Sequence, residues 1–171
     1  YIAYMVTQIY GGILSDRIGA KIILGVGLIT WSLFTLVTPL AAAAGFTILI
    51  LARLGMGLGE GVTFPAWHSL YARWIPKSER SRAVAATNSA IPLGTIFGLV
   101  VTPIIIIELS WQWAFYLYGA IGFVWYVFWS KYVYSSPTES STISQNELEY
   151  ITDNAPASGP GEDLNWRIWF F

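Results

Sequence analysis

The sequence predicts an all-α fold, a polytopic bundle of transmembrane helices, and both composition and patterning indicate it. Hydrophobic residues make up 55% of the 171-residue chain and charged residues 11%, whereas a typical soluble domain has roughly 25% charged residues. Long apolar stretches alternate with shorter connections, and basic residues gather in every second connection. A soluble domain of this size could not bury so much apolar surface in one core, so the expected solvent is a lipid bilayer.

Four stretches have the length of membrane-spanning helices, which need about 20 predominantly apolar residues. They are Ile22–Ala44, Phe46–Tyr71, Ala83–Ile107 and Trp113–Tyr134. The shorter Tyr1–Leu14 is interpreted as the end of a fifth helix, and Trp166–Phe171 as the beginning of a sixth. A soluble helical bundle is disfavoured because bundle helices keep a polar face, and Ile22–Ala44 carries no charge.

These boundaries predict three regions along the chain. Residues 1–134 form an N-terminal transmembrane half, residues 135–165 a polar linker, and residues 166–171 the start of the next helix. The linker is rich in Ser, Gly, Pro and acidic residues, which is typical of flexible segments, and one short helix is predicted around Ser144–Thr152. Because the chain opens on a tyrosine and ends within an apolar run, we expect it to be an internal piece of a longer protein.

The basic residues predict how the helices are oriented in the membrane. The predicted helices cross the membrane in alternating directions, so every second connection lies on the same side. With the exception of Arg53, every lysine and arginine falls on one of these two sides. These residues are Arg17, Lys21, Arg73, Lys77, Arg80, Arg82, Lys131 and Arg167. The positive-inside rule therefore places the three charged connections, around residues 15–21, 74–82 and 135–165, in the cytoplasm.

Composition also excludes several classes of site. A net charge of −1 without a basic run indicates no nucleic-acid partner. The absence of cysteine excludes disulfides and thiolate metal sites, and the single histidine, His68, excludes a multi-histidine metal cluster.

Arg53 is the outlier because it lies inside the apolar helix predicted over Phe46–Tyr71. An arginine near the centre of a spanning helix costs roughly 2.5–3.5 kcal/mol on insertion scales, so it usually faces a partner or a water-filled cavity. Glu60 follows seven residues later, which places it on the same helix face, about 10.5 Å further along the axis. Gly57 lies between them on that face and leaves room.

Two interpretations of this pair stay open. In the first, Arg53 is a fixed positive charge that attracts an anionic substrate, and Glu60 is a carboxyl that carries a proton. In the second, both residues are structural and pair with groups on helices outside this chain. The axial separation argues against a direct ion pair between Arg53 and Glu60 in a straight helix.

Glycines mark the same helix. They are Gly55, Gly57, Gly59 and Gly61. Small residues allow transmembrane helices to approach closely, and Pro65 predicts a kink, so this helix is expected to pack closely or to bend. Gly94 and Gly98, in the next predicted span, have a similar small-xxx-small spacing and are predicted to pack.

The first charged connection, residues 12–21, has the sequence Gly-Ile-Leu-Ser-Asp-Arg-Ile-Gly-Ala-Lys. Its length predicts a tight turn between antiparallel helices, in which Gly19 can take a positive φ angle. Asp16 can cap the next helix or pair with an arginine. The segment resembles the signature loop of the major facilitator superfamily, G-x-L-x-D-R-x-G-x-K/R, and it lies between two helices as that loop does.

Further motifs extend the resemblance over nearly the whole chain. Residues 53–60 are similar to the fourth-helix motif of that superfamily. Residues 60–68, 74–82, 110–119 and 143–151 resemble its anion:cation symporter branch, which includes vesicular glutamate transporters, sialin, type I phosphate transporters and hexuronate transporters. The resemblance implies twelve helices in two halves, of which this chain covers late helix two to the start of helix seven.

The resemblance also implies the site residues. It assigns Arg53 to the anion or the coupling network, Glu60 to proton coupling and Tyr4 to the wall of the substrate cavity. Asn88 is a further cavity candidate because it is polar within a predicted span. The predicted cytoplasmic gating loop comprises Gly12, Asp16, Arg17, Gly19, Lys21, Arg80 and Arg82.

The predicted function is secondary active transport of a small carboxylate or phosphate by alternating access, in symport with H⁺ or Na⁺. A facilitated uniporter or an exchanger of the same fold is the alternative. A membrane-embedded enzyme is disfavoured because such enzymes usually need a nucleophile with its base or a histidine-rich metal site. A channel is disfavoured as well. The expected partners are the anionic substrate and the lipid bilayer, with no cofactor beyond the coupling ion.

Overall fold

A computed structural model describes residues 2–154 of the chain, with side chains from Tyr4 onward. All regular elements in this part of the chain are helical, which confirms the all-α prediction. They are α1 (Ile2–Ile18), α2 (Ala20–Ala44), α3 (Phe46–Gly61), α4 (Thr63–Trp74), α5 (Arg80–Glu108), α6 (Trp111–Tyr132), a 3-10 turn at Pro137–Glu139, and α7 (Gln145–Asn154). The segment predicted to start a sixth helix, Trp166–Phe171, and the end of the predicted linker lie outside the described residues.

The helices have the lengths that a membrane requires. Among the described residues, three helical segments are long and apolar enough to cross a bilayer, namely α2, α5, and α3 together with α4. The fourth predicted span, α6, has 22 residues but falls short of the same hydropathy because it is rich in Trp and Tyr. Those amphipathic rings are typical of membrane interfaces.

Single glycines separate α1 from α2 and α2 from α3. Gly19 has a φ of 108° and Gly45 a φ of 127°, a region that glycine enters without the steric cost of a Cβ atom. The first turn is tighter than the predicted connection at residues 15–21, because α1 continues as a helix to Ile18.

The long helix over Phe46–Trp74 is interrupted at Val62, between α3 and α4. Pro65 explains this position, since proline has no backbone N–H and deprives the carbonyl four residues earlier, that of Gly61, of its helical partner. The predicted irregularity near Pro65 is therefore present in the structure.

Helix α2 lies at the centre of the bundle and packs against α3 and α6, while α1 packs against α3 and α4. Ile23 and Leu24 of α2 form the buried core with Ala66 of α4. Helix α5 differs, because it packs mainly against α6 and contributes no buried residue. Within the described structure no atom lies within 4 Å of a Cβ added at Gly94 or Gly98, so the packing predicted for these two glycines is not seen.

Glycines bring α2 and α3 into backbone contact. A Cβ added at Gly59 would lie 2.8 Å from the backbone nitrogen of Trp31 and 2.9 Å from the carbonyl oxygen of Gly27. A Cβ added at Gly27 would in turn lie 2.8 Å from the carbonyl oxygen of Gly59. The close packing predicted from the glycine run is thus a reciprocal contact of two backbones.

The three charged connections meet at one end of the bundle, as the charge pattern predicts. Arg73, at the end of α4, donates to the carbonyl of Asp16 in α1 at 3.2 Å. Trp74 donates from Nε1 to the carbonyl of Tyr134, after α6, at 3.1 Å. Trp129 donates from Nε1 to the carbonyl of Lys21, at the start of α2, at 3.0 Å. We call this the charged end of the bundle.

The Gly27–Gly59 contact predicts a strong penalty for a single methyl group. In Gly59→Ala the new Cβ meets backbone atoms of α2 that cannot rotate away, so the helices must separate, and we expect the free energy of unfolding in detergent micelles to fall by about 1–3 kcal/mol. Ala120→Val is the matched control, because Ala120 is exposed on α6 and has room for added methyl groups. Equal stability of Gly59→Ala and wild type in a denaturant titration would contradict this contact.

Candidate functional site

Arg53 projects from the second turn of α3 and is held by uncharged groups. Its guanidinium carbon lies 5.3 Å from the ring centroid of Phe115 in α6, and Nη1 donates to the sulfur of Met56 at 3.4 Å. The Thr35 hydroxyl of α2 points at the same sulfur, at 3.9 Å. A guanidinium has five N–H donors, and both of these contacts within the described residues are with neutral groups. The side chain is exposed.

Glu60 lies two helical turns beyond Arg53 on α3 and is half-buried. Seven residues of α-helix correspond to about 10.5 Å of axial rise with nearly the same facing direction. The contacts of Arg53 are with Phe115 and Met56, which agrees with the predicted lack of direct pairing. The pair therefore presents one positive and one acidic group along a single helix face.

Tyr4 is brought to the level of Glu60 by the packing of α1 on α3. A Cβ added at Gly61 would lie 2.5 Å from the carbonyl oxygen of Tyr4 and would also meet the Thr7 hydroxyl. The backbone of α1 therefore touches α3 one residue after Glu60. The half-buried Tyr4 belongs to the same region of the bundle as Glu60.

Asn88 is not brought to this region. It is exposed on α5, and α5 lies mainly against α6, where the Thr102 and Tyr118 hydroxyls are hydrogen-bonded at 2.8 Å. No contact in the described structure joins Asn88 to Arg53, Glu60 or Tyr4.

Three residues near Arg53 were missed by sequence reasoning. Phe115 lies in the aromatic segment 110–119, which indicates only the family resemblance. Met56 is at an unspecified position of the fourth-helix motif, and Thr35 belongs to no motif. Only Met56 has a usable signal, because it lies three residues after Arg53 and side chains at that spacing are neighbours on a helix. The contact with Phe115 depends on tertiary packing, and nothing in the local sequence indicates it.

At the charged end, Asp16 joins α1 to α4 rather than capping α2. Its Oδ1 accepts a hydrogen bond from the Ser69 hydroxyl at 2.9 Å, and its backbone carbonyl accepts from Arg73. The position before α2 is held by Gly19, without a side-chain cap. The predicted capping role is therefore wrong, and the predicted arginine partner bonds the carbonyl of Asp16 instead of its carboxylate.

The other residues of the predicted gating loop lie around this junction. A Cβ at Gly12 would lie 3.5 Å from that of Pro65 in α4, so α1 runs close to α4 there. Lys21 lies over the ring of Tyr134, 5.2 Å from its centroid. Arg17 is exposed.

Arg80 and Arg82 lie at the start of α5. Arg80 donates from Nη2 to the carbonyl of Ala72 at 3.4 Å and so links α5 to α4. Arg82 lines an open cavity of about 590 Å³, together with Ile75 and Glu79. The structure thus places both arginines at the charged end, about the α4–α5 connection.

Comparison with known proteins identifies the family. The sequence profile of the Major Facilitator Superfamily matches residues 1–170. The chain is 40% identical over 165 residues to the probable anion transporter 4, chloroplastic, of Oryza sativa subsp. japonica, which is 96% of this chain and 28% of that protein.

Two proteins of Arabidopsis thaliana are similar to the same extent. The chain is 39% identical to the ascorbate transporter, chloroplastic, over 96% of this chain and 30% of that protein. It is 40% identical to the sodium-dependent phosphate transport protein 1, chloroplastic, over 96% of this chain and 32% of that protein. The chain therefore spans about a third or less of the length of these relatives.

The Arg53–Phe115 contact predicts measurable coupling between α3 and α6. In a double-mutant cycle of Arg53→Met and Phe115→Leu, we expect a coupling of about 0.5–2 kcal/mol in the free energy of unfolding, the range of cation–π interactions. A denaturant titration of the four proteins in micelles measures it. Strict additivity of the two substitutions would show that the guanidinium does not interact with this ring.

Proposed function

The chain belongs to the Major Facilitator Superfamily, and on that basis we propose that it works in a secondary active transporter for a small organic or inorganic anion. Transport proceeds by alternating access, in symport with H⁺ or Na⁺. The chain is an integral, multi-pass membrane protein, which fits its family and its long apolar helices. The observation that carries the proposal is Arg53, a cation on an apolar helix whose contacts in the described structure are neutral.

The neutral surroundings of Arg53 favour binding of an anion over a purely structural role. A structural arginine in a membrane is expected to pair with an acid or with backbone carbonyls. Among the described residues, Phe115 and Met56 contact the guanidinium, and neither carries a charge. An anion in a water-filled passage beside α3 would give Arg53 a negatively charged partner.

Guanidinium chemistry supports carboxylates and phosphates as the substrate class. The planar fork of arginine donates two parallel hydrogen bonds to either group. The names of the relatives point the same way, since one is an ascorbate transporter and another a sodium-dependent phosphate transport protein.

Glu60 is the proposed coupling residue. It lies on the face of α3 that carries Arg53, is half-buried, and can gain or lose a proton in response to the passing anion. Tyr4 would line the same cavity because α1 touches α3 at Gly61. Asn88 would join the cavity wall only where α5 is brought closer to α3.

The remaining assignments follow the same scheme. Residues 1–134 would form the N-terminal transmembrane half, and residues 135–165 the linker to the next half. The gating loop would work through the bonds of Asp16 to Ser69 and Arg73, which join α1 to α4 at the charged end. Uniport or exchange through the same cavity is the alternative mode, and imposed H⁺ and Na⁺ gradients distinguish it from symport.

Removing the Arg53 charge tests the binding role. In the full protein reconstituted in liposomes, we expect Arg53→Ala to lower the uptake of phosphate or ascorbate about 10- to 100-fold, as for the loss of a charge-assisted hydrogen bond of about 1.5–3 kcal/mol. Lys131→Gln is the matched control, because it removes a positive charge that is exposed at the end of α6. Wild-type uptake by Arg53→Ala would overturn the assignment.

Substitution of Glu60 tests coupling separately from binding. Glu60→Gln keeps the shape of the side chain but cannot take up a proton, so uptake against a concentration gradient should disappear while exchange of internal for external anion continues. Glu108→Gln is the control, since Glu108 is exposed at the end of α5. Accumulation that still follows an imposed pH or Na⁺ gradient in Glu60→Gln would rule out the coupling role.

A further inference from the structure

Building on the proposed transport function, we propose that residues 133–154 form a strap that joins the α1–α2 turn to the α4–α5 connection and moves with helices α1–α6 during transport. The sequence predicts a flexible linker over residues 135–165, with one short helix around Ser144–Thr152. The structure instead anchors it at two separate points, and each anchor uses a tyrosine.

The first anchor is Tyr134, just after α6. Its ring lies under the ammonium group of Lys21, at 5.2 Å, and its carbonyl accepts a hydrogen bond from Trp74 at 3.1 Å. One residue of the strap therefore touches the start of α2 and the end of α4. The neighbouring Ser135 packs against Gly19, since a Cβ added at Gly19 would lie 3.0 Å from the Oγ of Ser135.

The second anchor is α7, which docks on the α4–α5 connection. The Tyr150 hydroxyl donates to Oε1 of Glu79 at 3.1 Å, and the carbonyl of Asn154 accepts from the backbone N–H of Lys77 at 3.4 Å. Ile151 is only 6% exposed, and Leu148, one helical turn earlier, is partly buried. Ser144 immediately precedes α7, and its hydroxyl accepts a hydrogen bond from the backbone N–H of Glu147 at 3.3 Å, which makes Ser144 the N-cap of the helix.

The two anchors have a joint consequence. The α1–α2 turn is held through Gly19 and Lys21, and the α4–α5 connection through Trp74, Lys77 and Glu79. These connections lie far apart in sequence, and the strap joins them across the charged end. Alternating access largely moves one half of a transporter against the other as rigid bodies. Every strap contact named here lies within residues 19–154, so none has to break in that movement.

Amide hydrogen exchange of the full protein in micelles tests the docking. Tyr150→Phe keeps the ring but removes the bond to Glu79, and we expect exchange over residues 145–154 to become about tenfold faster. Tyr132→Phe is the matched control, since its side chain is 72% exposed and outside the strap. Exchange in the wild type as fast as in the isolated peptide 145–154 would overturn the proposal.

Cross-linking tests whether the strap stays docked during transport. Glu79→Cys and Tyr150→Cys are combined as the only two cysteines, and a short bifunctional thiol reagent joins them in proteoliposomes. The expected result is anion uptake within about twofold of the same protein before treatment, because a contact inside one rigid body costs nothing to fix. Loss of uptake in the cross-linked protein, with uptake retained in each reagent-treated single-cysteine variant, would show that the strap must release.

Discussion

The close contact between α2 and α3 at Gly27 and Gly59 fixes the position of the helix segment that carries Arg53 and Glu60. Backbones that touch allow little rotation or sliding, because side chains cannot rearrange to absorb a change. Gly59 lies between Arg53 and Glu60 in sequence, so the contact fixes the part of α3 that carries both. Gly61, two residues later, sets the position of α1 in the same way. The glycines thus pack one face of α3 against α1 and α2, while Arg53 and Glu60 lie on another face of the same helix.

Local patterns predicted much of this fold. Hydropathy predicts which segments lie in the membrane, and the basic residues predict which ends of them face the cytoplasm. Both signals can be read from about 20 consecutive residues. The predicted spans therefore coincide with helices to within about three residues, apart from the interruption at Val62. The one-residue turn at Gly19 was harder to predict, because Asp16 and Arg17 are polar residues that the last turn of α1 can hold as easily as a loop can.

The candidate site was predicted only in part, for a physical reason. Arg53 and Glu60 stand out because charge in an apolar helix is costly wherever it faces. Phe115 does not stand out, since one more aromatic residue in α6 is compatible with lipid, with core packing or with a cation. The docking of α7 could not be predicted for a similar reason. Nothing in its local sequence indicates that Ile151 is buried or that Tyr150 bonds to Glu79, because both depend on tertiary contacts.

In the proposed transport role, an aromatic ring and a thioether are suitable neighbours for an arginine that has to bind and release an anion. A carboxylate beside Arg53 would compete with an incoming anion, and binding would first have to break a strong ion pair. An aromatic ring attracts the guanidinium by about 0.5–2 kcal/mol, which orients the side chain without forming an ion pair. Among the described residues, Phe115 and Met56 are such neutral partners of Arg53. A residue that only stabilised the bundle would gain from a charged partner, whereas a residue that takes up and releases an anion in each cycle is better served by neutral ones.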